Sequence, residues 1–344
     1  SLETNISRGK TMPCSHPSAS SEYADFIIRY FAFPQSLLST IEEGCLSFIN
    51  SQFAVVYRPV EEALPITLNR YSYSSIPNLY TLLDASSMES SGILASFSQP
   101  SLNTQGENTI IGIIDTGIDY RNPVFLGEDR STRILGIWDQ TIELNESGVS
   151  RERAGQLPED IFYGTAYTKE DIDRALASDS PLDIVPSTDE NGHGTKVASI
   201  AASSELLEEN YLGAAPEAEL AVVKLKQAKP FIRQMQRIPL DSIAYEEADI
   251  MLAVRYLDQL AQREGKPLVI CMALGSNTGG HTGENALSLY LNYVCRKVGR
   301  AVAVAAGNEG NKGHHYFGIV PRDQDYTEVE LRVGAEEKGF QVNL

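Results

Sequence analysis

Three residues in this chain are of types that move protons or stabilise charge, and each stands beside a glycine at a turn. Asp115 ends the apolar run Ile110-Ile111-Gly112-Ile113-Ile114, and Thr116-Gly117 follows at once. A β-branched run closed by a turn signal reads as a strand buried on both faces of a parallel sheet. Asp115 would then sit at the strand's carboxyl end, where open α/β sheets collect ligands and chemistry. His193 lies in Asn191-Gly192-His193-Gly194-Thr195. Its flanking glycines free the backbone and expose the imidazole, the usual acid and base near neutral pH. Asn308 follows the run Val302-Ala303-Val304-Ala305-Ala306-Gly307 and precedes Glu309-Gly310. An amide at that strand end is placed to donate a hydrogen bond to a developing oxyanion. Each residue alone reads at least as readily as a turn residue. Together they follow strand or loop ends that one sheet edge can gather.

The elements that must carry them alternate between buried strands and amphipathic helices. A small-residue helix is predicted over 196–203, then a strand over 219–225. Asp241 is read as opening a long helix with Ile250, Val254, Leu257 and Ala261 on one face, closed by Gly265 and Pro267. A strand over 268–274, a helix marked by Leu287, Leu291, Val294 and Val298, and a strand over 300–306 complete the series. Repeated alternation of this kind signals a doubly wound parallel sheet. Before it, residues 119–190 form a long excursion, with a strand at 133–138. A capping box from Thr168 to Asp171 opens a helix carrying Ile172, Ala175 and Leu176. Residues 22–80 read as a small α+β unit, with strands at 25–30, 53–57 and 64–73 and a helix from Pro34 to Gly44. A unit of this size is marginal alone and calls for a larger body to pack on.

Composition narrows the function class. The 344 residues carry a formal net charge of −18, and 42% are hydrophobic. No Lys/Arg cluster is present to neutralise a phosphate backbone, which argues against nucleic acid as a partner. No apolar run reaches membrane-spanning length, and the polar start has no signal-peptide core. Cys14, Cys45, Cys271 and Cys295 fit no metal-ligand spacing, and no metal site is assigned. Cys271 and Cys295 lie in apolar runs and read as reduced core residues. A small-molecule-binding α/β domain would call for a Gly-x-Gly-x-x-Gly fingerprint or a phosphate loop, and neither is present.

Asp115-Thr116-Gly117, Gly192-His193-Gly194-Thr195 and Ala305-Ala306-Gly307-Asn308-Glu309-Gly310 resemble the Asp, His and oxyanion-Asn motifs of the subtilisin-like serine proteases, in that family's order. Met272-Ala273-Leu274-Gly275 resembles its substrate-binding strand. The resemblance runs from about residue 80 to 320. More narrowly, Arg133-Ile134-Leu135-Gly136-Ile137-Trp138-Asp139-Gln140, Ala214-Ala215-Pro216-Glu217-Ala218-Glu219-Leu220 and Gly313-His314-His315-Tyr316 are similar to the Csp-type germination proteases of spore-forming bacteria. The resemblance implies that His193 is the general base, that Asp115 holds its tautomer, and that Asn308 is an oxyanion donor. It implies an extended peptide bound along Ala273, Leu274 and Gly275, with Ala305, Ala306 and Gly307 leaving room for a side chain. It admits calcium, with no site assignable.

There is one departure: no Gly-Thr-Ser-Met-Ala segment occurs, and no serine follows Asn308. The expected division is a disordered segment over 1–21, a prodomain-like unit over 22–80 and a connector with the processing region over 81–108. A subtilisin-like catalytic domain lacking its nucleophile would cover 109–320, and an inserted all-β domain would begin at 321–344, where Thr327, Val329, Leu331 and Val333 alternate like a hairpin. The fold class is thus α/β of the subtilisin type with a small N-terminal α+β prodomain. The expected function is a self-processing serine endopeptidase, silent as this fragment. The alternative is a dead pseudoprotease serving as sensor or scaffold. The partners are an extended peptide or protein substrate and the chain's own prodomain, with a cytoplasmic or spore-associated setting.

Overall fold

A computed structural model describes residues 14, 17–31, 41, 45–83, 105–144, 154–204, 212–279, 282–308 and 318–335. The N-terminal unit holds β1 (Tyr23–Arg29), β2 (Leu46–Phe48), β3 (Phe53–Pro59), α1 (Val60–Ala63) and β4 (Leu79–Leu82). The body follows with β5 (Ile110–Asp115), β6 (Ile134–Asp139), β7 (Thr165–Thr168), α2 (Lys169–Leu176), α3 (Pro181–Ile184) and α4 (His193–Ala202). It continues through β8 (Glu219–Lys224), α5 (Pro230–Met235), β9 (Tyr245–Glu246), α6 (Glu247–Glu264), β10 (Leu268–Met272), β11 (Leu274–Gly275), α7 (Ala286–Cys295) and β12 (Arg300–Val304).

The main sheet has the order β12-β10-β5-β8-β6-β7. Its pairs are parallel except the β6–β7 edge, which is antiparallel. β5 is buried along its whole length, as a continuous apolar run in a covered parallel sheet must be. One face of the sheet packs Ile110, Ile114, Val223 and Ile270 under α6 and α7. The other packs Ile111, Ile113, Leu220 and Val222 against α2 and α4. Gly265 closes α6 in the left-handed conformation that a helix C-terminus favours. At α2 the Thr168 side chain accepts from Asp171 N, and the Asp171 carboxylate accepts from Thr168 N, the reciprocal pattern of a capping box.

The N-terminal unit is an antiparallel sheet, β1-β3-β2, laid on α6. Tyr23, Ile27, Phe53, Val55 and Tyr57 share one hydrophobic cluster with Ile250, Met251, Val254 and Tyr290 of the body. Ala24, Phe26 and Leu79 share another with Phe231, Ile232 and Ala244. Too small to cover its own sheet, the unit completes its core on the larger domain.

Several elements differ from the sequence reading. Residues 64–73 form turns rather than a strand, with Leu64 and Leu68 exposed, and the unit's third strand is β2. The long helix begins at Glu247 rather than Asp241, because Tyr245–Glu246 are taken by β9. The strand read over 268–274 leaves the main sheet at Ala273 to form β11. α7 ends at Cys295, and Val298 is fully exposed. β4 straddles the boundary drawn at residue 80. Residues 17–21, read as disordered, form a turn that buries Ser18. Cys14 is disulfide-bonded to Cys45, while Cys295 is exposed rather than in the core. Residues 318–335 form no strand and are exposed. Isolated alternation without a partner strand or a packed face does not make a sheet. The helix read from Pro34, the connector over 84–104 and residues 336–344 lie outside the described residues, apart from Ile41.

Candidate active site

The carboxyl ends of the parallel strands form one edge, and β5 delivers Asp115 to it fully buried. β5 can end there because Gly117 turns the chain at φ +120°, a conformation open to glycine. Asp115 Oδ1 accepts a hydrogen bond from Thr116 N at 2.7 Å. The same oxygen lies 2.7 Å from His193 Nδ1, across 78 positions of sequence. His193 is itself the first residue of α4, entered through Gly192 at φ +81°. Gly194 lets the two loops touch: a Cβ there would stand 2.2 Å from Gly117 O and 3.1 Å from Asp115 Cβ.

His193 Nε2 lies 2.8 Å from the carbonyl oxygen of Leu83. Both ring nitrogens therefore face acceptors, a pattern the doubly protonated ring satisfies in full. The hydrogen bond to Asp115 raises the His193 pKa from its ordinary 6.5. Burial opposes this, while the charge of Asp115, the Leu83 carbonyl and the charge of Asp189 add to it. Asp189 stands behind this pair. It accepts from Thr116 Oγ1 at 2.7 Å, Gly192 N at 2.9 Å, Thr195 N at 2.8 Å and Thr195 Oγ1 at 2.7 Å.

Leu83 arrives on β4, which threads between β11 and β9 in a three-stranded antiparallel sheet. Leu82 pairs with Leu274 and Thr81 with Gly275, and Leu83 N donates to Ala273 O at 2.8 Å. On the other side Leu79 pairs with Glu246 and Tyr80 with Tyr245. Leu83 is buried, and a Cβ on Gly275 would lie 2.5 Å from its Cδ1. The chain's own strand thus lies along Ala273, Leu274 and Gly275 and ends with its carbonyl on His193.

Asp115 and His193 are brought together, and Ala273–Gly275 receive an extended strand. Asn308 follows the carboxyl end of β12, at the same sheet edge and exposed. Ala305, Ala306 and Gly307 are exposed beside it. Sequence reasoning missed Leu83, Thr116 and Asp189. A carboxylate three residues ahead of a helix N-cap, with a threonine inside the first turn, was the available signal for Asp189. Among the described residues no group of three His, Cys, Asp or Glu could hold a metal ion, and no helix is long and apolar enough to cross a membrane.

The model of the subtilase family, Peptidase S8, matches residues 106–330. The chain is 32% identical over 136 residues to the Arabidopsis thaliana subtilisin-like protease SBT2.2, covering 35% of this chain and 15% of that protein. Among solved structures, the Clostridium perfringens CspB protease is 31% identical with a TM-score of 0.50, covering 64% of this chain and 40% of that one. The chain therefore spans well under half the length of either relative.

Proposed function

The chain belongs to the subtilase family, and from that premise we propose that it carries the acid–base and substrate-binding parts of a serine endopeptidase, with its N-terminal unit held as a propeptide in the cleft. One observation carries the reading: the Leu83 carbonyl sits on His193 while Leu83 N is bonded to Ala273 O. That is where a scissile carbonyl belongs if the strand is a substrate bound by strand addition.

In this reaction a serine hydroxyl attacks the carbonyl carbon. His193 takes the hydroxyl proton and returns it to the leaving amine. Asp115, bonded to Nδ1, keeps the other nitrogen free for this exchange and stabilises the imidazolium. Asn308 donates to the oxyanion. No serine follows Asn308 in the 344 residues, so on this reading the nucleophile comes from outside them and this chain alone is proteolytically silent. The bond processed is Leu83–Asp84.

The test is maturation of the full-length protein, read by mass spectrometry of the new N-terminus with host proteases excluded. The expected product begins at Asp84, and His193→Ala leaves the precursor uncut. Asn308→Ala slows cutting by about 10²–10³, the loss known for the corresponding residue of subtilisin itself. Maturation of the His193→Ala protein at the normal rate would overturn the reading. A full-length protein that never cuts would instead support a pseudoprotease.

A further inference from the structure

We propose that Asp189 is a positioning residue: its carboxylate ties the turn after Asp115 to the first turn of α4 and so fixes where the His193 imidazole stands. Four donors converge on it, two on each oxygen. Oδ1 takes Thr116 Oγ1 and Gly192 N, and Oδ2 takes Thr195 N and Thr195 Oγ1. The two hydroxyls are relays. Thr116 Oγ1 donates to Asp189 and accepts from Gly194 N at 2.9 Å. Thr195 Oγ1 donates to Asp189 and accepts from Asp119 N at 2.9 Å. Each loop is therefore bonded to the other through a threonine, and both threonines are oriented by one carboxylate.

The residues held are those on either side of His193: Gly192, Gly194 and Thr195. These backbone groups open α4, and a helix start leaves N–H donors without intrahelical partners. Gly192, at the N-cap, has no side chain to satisfy them, and no side-chain cap is made there. Asp189, three residues upstream, supplies the missing acceptor and places a negative charge at the positive end of the helix. Burial would raise the Asp189 pKa, but the bonds from Thr195, Thr116 and Gly192 outweigh it and hold the carboxyl below its ordinary range. The charge of Asp189 also favours the imidazolium of His193, in the same direction as Asp115. Tyr245 feels both carboxylates as well, and with burial they raise its pKa.

The role assigned rests on His193 being the base of the proposed protease, but its test involves no proteolysis. The His193 ring is titrated by NMR on the 344-residue chain, its signals assigned with His193→Ala. Asp189→Asn keeps the shape but presents an amide to donors and removes the charge, and Thr116→Val breaks the relay to Gly194. Both variants are expected to lower the His193 pKa, and the Gly194 and Thr195 amides are expected to exchange about tenfold faster or more. Thr116→Ser keeps the hydroxyl and restores both. Glu190→Gln removes a neighbouring exposed charge and leaves the titration in place. A folded Asp189→Asn chain with the original titration would overturn the role. So would a Thr116→Ser chain as perturbed as Thr116→Val, or an equal shift in Glu190→Gln. Should Asp189→Asn fail to fold, the Thr116 pair decides. A 344-residue chain that titrates as expected beside a full-length protein that never matures would count against the protease reading alone.

Discussion

At the scale of single residues the tightest tolerance is at Gly194. Its ordinary helical backbone would accept alanine, so the constraint is contact rather than conformation. The added carbon would stand 2.2 Å from Gly117 O, a backbone atom that cannot swing aside. Relief requires parting the two loops, which also stretches the Asp115–His193 bond and the Gly194 N to Thr116 Oγ1 bond. Gly194→Ala is expected to cost about 1–3 kcal/mol, the range of overpacked core sites. Chemical denaturation reads this, while alanine at Gly192, where a Cβ would meet nothing within 4 Å, carries only the left-handed strain. The His193 neighbourhood was legible in the sequence because the glycine-flanked histidine occurs together with the Asp115 and Asn308 segments in one order. Asp189 was not legible, because its value comes from donors at Thr116 and Thr195 that only the fold brings to it.

At the scale of elements, β4 is the piece whose position matters most. It is four residues long, yet it has partners on both edges, β11 and β9. A strand so short holds by its ladder and by the buried Leu83 at its end rather than by its own propensity. Leu83→Pro removes the donor to Ala273 O and the side chain packed on Gly275. The amides of 79–82 and 274–275 are then expected to exchange about tenfold faster or more, with β5 and β10 unchanged. Hydrogen exchange read by mass spectrometry checks this, and equal loosening of β10 would show general destabilisation instead. The sequence showed β5, β8 and β10 clearly, since long apolar runs have one stable home in a covered sheet. It did not show that Ala273 leaves that sheet, or that Tyr245–Glu246 delay the long helix, because both changes are imposed by β4 arriving from far upstream. The alternation over 327–333 has no partner strand among the described residues, where 318–335 are exposed.

At the scale of the whole molecule, the N-terminal unit and the body meet over buried charge as well as apolar surface. Asp25 on β1 pairs with Lys229, which also donates to the carbonyl of Pro17. Lys226 pairs with Asp249 at 2.5 Å, and Tyr163 OH donates to the other Asp249 oxygen at 2.7 Å. Tyr57 of β3 lies under Lys229. Glu247 is satisfied by Asn78 and Leu287 N. Glu246 is fully buried beside them, and neither of its oxygens has a hydrogen-bond partner among the described residues. Burial pushes Glu246 well above the usual carboxylate range, with Asp25 and Asp249 adding to the rise and the two lysines opposing it. Burial likewise pushes Asp25 up to about 6, against the pull of Lys229 and Lys226. Both acids hold protons more tightly in the closed seam than free, so closing it takes protons up. For Asp25 the resulting stability is full below its ordinary 3.8 and is lost as pH rises through about 6; for Glu246 the loss falls higher. The seam should therefore loosen between pH 5 and pH 8. Two variants separate its parts. Glu246→Gln removes the need for a proton, so it should leave stability near wild type at pH 5 and raise it at pH 8. Asp25→Asn presents a neutral group of the same shape, the form the raised pKa favours in the seam, so it too should stay near wild type at pH 5 and gain at pH 8. Denaturation curves at the two pH values, with exchange protection over 23–29 and 53–59, read both. A Glu246→Gln chain whose gain is the same at pH 5 and pH 8 would show that the proton on Glu246 is not what closing the seam takes up.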